Sequence, residues 1–525
     1  MPKVSIFLEK IFQNISGLQR YLTPALWLGL ILLLGTILRF YDLGTESYWI
    51  DEMYTVIEAQ QNIPEMLTSG RLDQPPAYYL PFHLWVETFG TQEVSTRSFS
   101  ALVGIGSIGL IYLVGRELFG KTVGLISAFL MAISGFQIYY SQIARFYSFF
   151  ELMSLLSFLF FILAFQKKKM LYFCLYGVAS ILMIYSHTFG AFILAAQNLV
   201  FLFKWKKYKN LTLAWLSCQL LILAAFVPYV YILVIGQNGV GGAVAENVGK
   251  MPVPALSEPL HSVYRFILPS RRLYGQEVIL ASYVAAGVLL LIGSLIYIAR
   301  QGKNNWLTSV KRLGDNLPEV SDLKAKLILV GSWLLCPIVL PFLISLLIIP
   351  VYKDYYTISA APALYLLLAL GLYNARKVLP LLISISILVI LIVPSLGVYY
   401  VKDMNEQWPE AALYVEKNSK PTDVIVFAPN ESQSIQQRTF SWYYQGTLPS
   451  CGLGVRLTDS AVWKALTKCL DGHQRFWVII RGTSENVSYQ RYTSFFINPN
   501  QTAIVLKDEQ HFFEITVYLF ELADR

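Results

Sequence analysis

Apolar runs of about 20 residues recur along this chain, and each is long enough to cross a bilayer core as a helix. No other feature constrains the fold as strongly, because a chain inside lipid must satisfy its backbone hydrogen bonds within its own helices. Spans are predicted near 22–40, 97–115, 121–139, 147–165, 170–186, 188–204, 211–235, 277–299, 327–350, 356–373 and 378–400, eleven in all. Composition agrees: 14% of residues are charged, against roughly 25% in soluble domains. The first run begins near Leu22 and lacks a small-residue cleavage site, so it reads as a retained span and not as a removed signal peptide.

A net charge of +8 in a soluble chain would raise nucleic acid as a partner. Here the basic residues cluster in short loops between spans, the orientation signal of membrane insertion, and no nucleic acid is expected. With the N-terminus in the cytoplasm, basic residues on the inner side outnumber those on the outer side before the tail by more than two to one. The odd span number then carries the chain from about Tyr400 to the outer face. The expected organisation is a transmembrane domain over 1–400, with a first outer loop at 41–96 and a flexible outer loop at 236–276, and an extracytoplasmic domain over 401–525.

That tail changes character. DVIVFAP (423–429), RFWVIIRG (475–482) and FEITVYLFEL (513–522) read as strands. WPEAALYVEKN and SAVWKALTKCL read as short helices. The alternation suggests a small α/β domain with a partly parallel sheet. No Gly-rich phosphate loop follows a strand, so no nucleotide is assigned. Cys451 and Cys469 lie in the tail, where a disulfide and two free thiols both stand as readings. Cys174, Cys218 and Cys336 fall in predicted spans and read as small apolar residues.

One stretch departs from the apolar pattern: Ser47–Leu80, SYWIDEMYTVIEAQQNIPEMLTSGRLDQPPAYYL. Acids concentrate here and just beyond, whereas the spans are almost free of them, Glu151 excepted. Asp51 and Glu52 are flanked by Tyr48, Trp49, Ile50, Met53 and Tyr54, which suggests carboxylates at an interface, where desolvation makes a stronger base. Adjacent residues do not both point into one site, so Asp51 is the favoured base and Glu52 its support. Asp73 precedes Gln74 and the Pro75–Pro76 turn, which would hold it rigidly; a plain turn-former is the bland alternative. Glu58 and Glu65 read as a solvated helix face.

Basic residues on the outer side work against orientation, so each is a candidate for binding an anion. Arg145 sits at the mouth of two spans beside Tyr139, Tyr140 and Tyr147; an anchor in an aromatic belt is the alternative. Arg265, Arg271 and Arg272 make the 236–276 loop a candidate lid. His187, in YSHTFG, joins two spans and is an ionisable group at membrane depth. Two carboxylates and a histidine allow a divalent metal, but no tight ligand spacing supports one, and no cofactor is assigned.

Taken in order, LRFYDL, SYWIDE, LDQPPAYYLPFHLW, the RSFSALVGIGSIGLIYLVGRELFGKTVGLISAFLMAIS run, YYSQIARFYSF and YSHTFGAF resemble a family. The chain is similar to bacterial glycosyltransferases of the GT-C fold, family 39-like, related to protein O-mannosyltransferases and aminoarabinose transferases. The resemblance is close over about 30–200, looser over 350–375 and absent in the tail.

It implies a polytopic α-helical membrane protein of the bacterial inner (plasma) membrane, with an extracytoplasmic α/β domain. It further implies a sugar donor carried on a polyprenyl phosphate, a lipid, polysaccharide or protein acceptor, and membrane lipids around the spans. Asp51 and Glu52 match the Asp-Glu pair of the family's first outer loop, and Asp73 the acid before its Pro-Pro turn. Arg145 and Tyr147 match its Tyr-Ser-Gln-x-Ala-Arg-x-Tyr signature, and His187 its histidine turn. Tyr78 and Gln74 join the expected substrate-binding set, and Lys353, Arg271 and Arg272 join Arg145 as candidate phosphate ligands. Three departures bear on donor and metal: Gln74 stands where many relatives have His, Ile143 where many have Glu, and Tyr355 where relatives have Arg. A lipid-linked sugar transporter or flippase is the rival reading, against which stands the absence of an internal repeat.

Overall fold

The computed structural model describes residues 23–68, 72, 74–235, 252–266, 320–374, 396–397, 399–401, 405–430, 435–454, 459–482, 487–498 and 503–523. Of the sequence expectations, the spans at 277–299 and most of 378–400, together with Asp73, Arg271 and Arg272, lie outside the described residues. The chain divides into two compact units. The first takes 1–41, 59–90 and 95–400; the second takes 42–58, 91–94 and 401–525. Two pieces of the first outer loop thus pack with the C-terminal residues.

The first unit is a multi-pass helical body. Helices Glu93–Phe119, Tyr147–Lys167, Thr212–Ile235 and Val320–Leu347 are long and apolar, and Asp354–Tyr373, a 3-10 turn running into a helix, completes a further span-length segment. Pro24–Phe40, Met170–Ile184 and Gly190–Phe203 are shorter apolar helices. Leu213, Leu220 and Leu223 are exposed, as side chains facing lipid should be. Between helices the glue is small and polar. Gly115 and Gly124 let two helices touch by their backbones: a Cβ on Gly115 would lie 2.7 Å from Gly124 Cα. Gln197 Nε2 donates to Ser157 Oγ at 2.9 Å, Tyr176 Oη donates to Gln197 at 3.0 Å, and Ser157 and Ser180 share a hydrogen bond of 2.9 Å.

The span expected at 121–139 is broken. Lys121–Ile133 and Gly135–Ser141 meet at 63°. Ser134 is extended at the corner and caps the second piece, its Oγ accepting from Gln137 N–H at 3.3 Å. The break frees carbonyls at the end of the first piece, and Arg39 takes them: Nη1 donates to Ala132 O at 3.1 Å and Nη2 to Met131 O at 3.3 Å. Its Nε donates to Ser141 Oγ at 3.1 Å. Arg39 is one of the basic residues expected on the outer side, each a candidate for an anion; it is instead fully buried and caps a helix end.

In the second unit five strands lie in the order β2-β1-β3-β5-β4: β1 Val424–Asn430, β2 Ser450–Gly454, β3 Arg475–Arg481, β4 Ile504–Phe512 and β5 Ile515–Leu522. β1 pairs parallel with β2 and β3, and β5 pairs antiparallel with β3 and β4. Alternate residues point to opposite faces. Val424, Val426, Val478 and Ile480 pack under helices Asp459–Leu470 and Val487–Phe496. Ile425, Phe427, Trp477 and Ile479 pack under Trp408–Asn418 and Ile435–Tyr443. The mixed three-layer sheet agrees with the expectation for the tail. β2 and β4 were not foreseen: β2 reads SCGLG, with little apolar pattern, and β4 is an exposed edge strand.

Cys451 on β2 and Cys469 on the Asp459–Leu470 helix form a disulfide, with a sequence separation of 18 residues. A loop of this length is worth about 3 kcal/mol through restriction of the unfolded chain. Replacing both cysteines with serine therefore lowers the stability of this unit by about that amount. A denaturant series of protease digestion on the full chain checks it; an unchanged midpoint contradicts it.

Candidate active site

The candidate residues fall into two groups, one in each unit. In the second unit Ser47–Trp49 leads into helix Ile50–Ala59, with Asp51 and Glu52 in its first turn. Negative charge belongs at a helix N-terminus, where backbone N–H groups lack partners. Glu52 is buried and folds back, Oε2 accepting from Trp49 N–H at 3.4 Å, as the third residue of a capping box does. Asp51 is less buried. Glu58, read as solvated from the sequence, is fully buried; exposed Glu65 instead forms a reciprocal cap with Asn62 at the start of helix Ile63–Thr68.

A residue that sequence reasoning missed holds this helix start. Glu406, almost wholly buried, accepts the Ile50 N–H at Oε2 (3.1 Å) and the Arg481 Nε–H at Oε1 (2.8 Å). Its backbone carbonyl accepts from Ser47 Oγ at 2.5 Å, and Asn405 Nδ2 donates to Ser47 O at 2.9 Å. Tyr443 Oη accepts the Tyr48 N–H at 2.8 Å and donates to Glu93 at 2.7 Å. The segment leading to Asp51 is thus fastened to residues more than 350 positions away, which no local sequence signal announces.

The first unit gathers five of the expected residues: Tyr78, Arg145, Tyr147, His187 and Lys353. Five rings close a circuit. Phe146 meets Tyr147 at 4.4 Å between centroids, Tyr147 meets Tyr355 at 5.7 Å, and Tyr355 meets Tyr356 at 4.8 Å. Tyr356 meets His187 at 4.6 Å, and His187 returns to Phe146 at 5.2 Å. Tyr78 touches the circuit edge-on at Phe146, 6.5 Å away. Two cations stand over it. Arg145 Cζ lies 4.8 Å from the Phe146 centroid, and Lys353 Nζ lies 5.5 and 5.4 Å from those of Tyr355 and Tyr356.

Local structure sets each part. Arg145 sits in the turn between Gly135–Ser141 and Tyr147–Lys167, downstream of the broken span. His187 lies between Met170–Ile184 and Gly190–Phe203; its Nδ1 accepts the Phe189 N–H at 3.0 Å, so the neutral ring carries its proton on Nε2. Ala77 N–H donates to Tyr185 O at 2.9 Å, tying the Gln-Pro-Pro turn beside that histidine turn. Gln74 Oε1 is buried and has no hydrogen-bond partner among the described residues. Arg265, an outer cation of the expected lid, pairs with Asp354. Burial is the largest single influence and opposes its charge, but the Asp354 carboxylate together with Tyr264 and Tyr140 outweighs it and holds the guanidinium above its ordinary pKa. Among the described residues, no group of three or more His, Cys, Asp or Glu side chains could hold a metal ion.

With this geometry in view, the chain is a multi-pass membrane protein of the GT-C fold. Residues 73–232 match the model of the Dolichyl-phosphate-mannose-protein mannosyltransferase family. The chain superposes on ArnT from Cupriavidus metallidurans, solved bound to undecaprenyl phosphate, with a TM-score of 0.56 at 14% identity, over 94% of this chain and 98% of that one. It superposes on the oligosaccharyltransferase AglB from Archaeoglobus fulgidus, solved with an inhibitory peptide and a dolichol-phosphate, with a TM-score of 0.53 at 14% identity, over 90% and 71% of the two chains. An uncharacterized protein of Aquifex aeolicus is 32% identical over 117 residues, 20% of this chain and 23% of that protein, so the match spans under a quarter of that relative's length. The family match and the shared fold bear out the resemblance seen in the first 200 residues and support a membrane glycosyltransferase.

Replacing Glu406 with alanine removes the carboxylate that accepts from both Ile50 and Arg481. Breaking such a buried pair costs about 3 kcal/mol or more. Glu406→Gln keeps an acceptor for Ile50 and loses less. Protease-resistance midpoints of the second unit should fall in the order wild type, E406Q, E406A; equal midpoints refute the clamp.

Proposed function

We propose that this chain transfers a sugar from a polyprenyl-phosphate donor to an acceptor hydroxyl, with inversion, on the outer face of a bacterial inner membrane. The N-terminus is cytoplasmic and the 401–525 domain extracytoplasmic in this reading. The observation that carries it is the closed aromatic circuit bearing Arg145 and Lys353. Rings suit the apolar faces of a sugar and the first units of an isoprenoid, and two cations suit a phosphate. The undecaprenyl phosphate of the ArnT structure supports the same ligand class. The Cys451–Cys469 disulfide supports a tail outside the reducing cytoplasm.

The chemistry then runs as follows. Asp51 accepts the proton of the acceptor hydroxyl, and the oxygen attacks the anomeric carbon. The bond from that carbon to the phosphate oxygen breaks, its electron pair leaves with the polyprenyl phosphate, and Arg145 and Lys353 stabilise that charge. Glu52 supports Asp51 through the helix start. Gln74, Tyr78, Tyr147 and His187 bind substrate. Asp73, Arg271 and Arg272 keep their proposed roles as a second acid and further phosphate ligands. The acceptor is a lipid, polysaccharide or protein.

The test is purified chain with a polyprenyl-phosphate sugar, reading release of free polyprenyl phosphate. General-base help is worth about 10²–10⁴-fold, so Asp51→Asn lowers kcat by that range while the protein remains in the membrane. Arg145→Ala raises the KM for donor. Full turnover by the Asp51 variant removes Asp51 from its role. Passage of intact lipid-linked sugar across the bilayer without release of the carrier replaces the transferase with a flippase.

A further inference from the structure

Four lysines converge on a cavity that the transfer reaction does not use. The cavity holds about 590 Å³ and lies in the first unit, where helices Tyr147–Lys167, Gly190–Phe203 and Val320–Leu347 end or begin. Lys168, Lys204, Lys207 and Lys326 line it, and they come from three separate stretches of sequence. Its walls are aromatic: Phe165 meets Phe161 at 5.0 Å, Phe201 at 5.8 Å and Tyr208 at 4.7 Å. Lys207 Nζ stands 5.8 Å over the Tyr208 ring. Immediately beside it, Leu202, Phe203 and Trp205 are exposed and line a second, more open groove together with Lys204, Lys206 and Lys207.

Orientation during insertion explains lysines near these helix ends, but it asks only for positive charge in the loops. It does not ask that lysines from three separate stretches line one recess together with aromatic side chains. A small soluble anion would use the cations and leave the exposed leucine, phenylalanine and tryptophan without purpose. A ligand with an anionic head and apolar tails uses both, since a basic pocket between transmembrane helices takes the phosphate and the adjoining apolar surface takes the acyl chains.

We propose that this recess binds the phosphate headgroup of an anionic phospholipid from the leaflet in which these helix ends lie. The assignment is independent of Asp51 and of the sugar transfer, and it makes the recess a lipid site with no part in catalysis.

The experiment uses the full chain in nanodiscs of phosphatidylcholine with or without phosphatidylglycerol. Phosphatidylglycerol raises the thermal midpoint of the wild-type protein, and native mass spectrometry retains the lipid on it. Each lysine near such a headgroup is worth about a fivefold factor, so Lys204→Gln/Lys207→Gln weakens retention roughly 25-fold. Lys121→Gln/Lys209→Gln, with the same charge loss at exposed positions outside both the cavity and the groove, retains the lipid as wild type does. Equal loss in both double variants, or an equal shift on adding inorganic phosphate alone, overturns the site: the first reduces it to surface charge, the second to a soluble-anion site. Should the first double variant fail to fold, Lys168→Gln serves in its place, with about a fivefold loss expected and wild-type retention refuting the proposal.

Discussion

A backbone carbonyl without a partner is most costly where water cannot reach it. The first unit contains such a place by design, at the corner between Ile133 and Gly135, and Arg39 answers it. One guanidinium satisfies Met131 and Ala132 and also grips Ser141 beyond the corner. Room for it is made by glycine: a Cβ on Gly104 would lie 2.2 Å from Ser141 Oγ and 3.1 Å from Arg39 Nε. The corner turns the chain into the Gly135–Ser141 helix and so to the turn holding Arg145. Without Arg39 the break has no compensation in lipid, and without the break Arg145 and Tyr147 lose the short segment that presents them. Beside the corner, Gln137 donates at 2.6 Å to Glu151, a buried acid in the middle of the fold's helices.

Glu406 plays the corresponding part in the second unit. The first turn of helix Ile50–Ala59 already holds Asp51 and Glu52, and a third carboxylate at its N–H groups would repel them in isolation. Arg481 resolves this by pairing with Glu406 on the side away from Ile50. The helix start is consequently set by a residue of the C-terminal sequence, and the 401–525 segment acquires a mechanical reason to exist beyond its own sheet.

What the sequence displays and what it hides follow from the range of the forces involved. Spans are visible because residence in lipid is a property of composition over 20 residues, and nine of the expected spans coincide with described apolar helices or a broken pair. β1, β3 and β5 are visible because buried strands carry β-branched runs. β4 is hidden because an edge strand faces solvent and reads as a polar loop. Glu58 looked solvated because nothing in its neighbourhood shows what covers it. Arg39 looked like an anion ligand because an outer arginine and a helix-capping arginine are the same letter; only the distant break tells them apart. The ring circuit is intermediate: Tyr147 and His187 were visible through motif order, whereas Tyr356 gave no sign of closing it.

The outer cations are not interchangeable, and their surroundings rank them. Arg265 is committed to Asp354, and a phosphate recruiting it would have to displace a carboxylate already in place. Lys353 is adjacent to that same aspartate in sequence, yet its ammonium lies over Tyr355 and Tyr356. Arg145 likewise lies over Phe146. A ring face attracts a cation by a fraction of what a carboxylate does in a desolvated place, and it adds no negative charge. An ammonium resting on rings, as that of Lys353 does, therefore keeps its charge for an incoming anion. That distinction ranks Lys353 above Arg265 as a ligand in the proposed phosphate site, with Tyr355 and Tyr356 as the rings on which it rests.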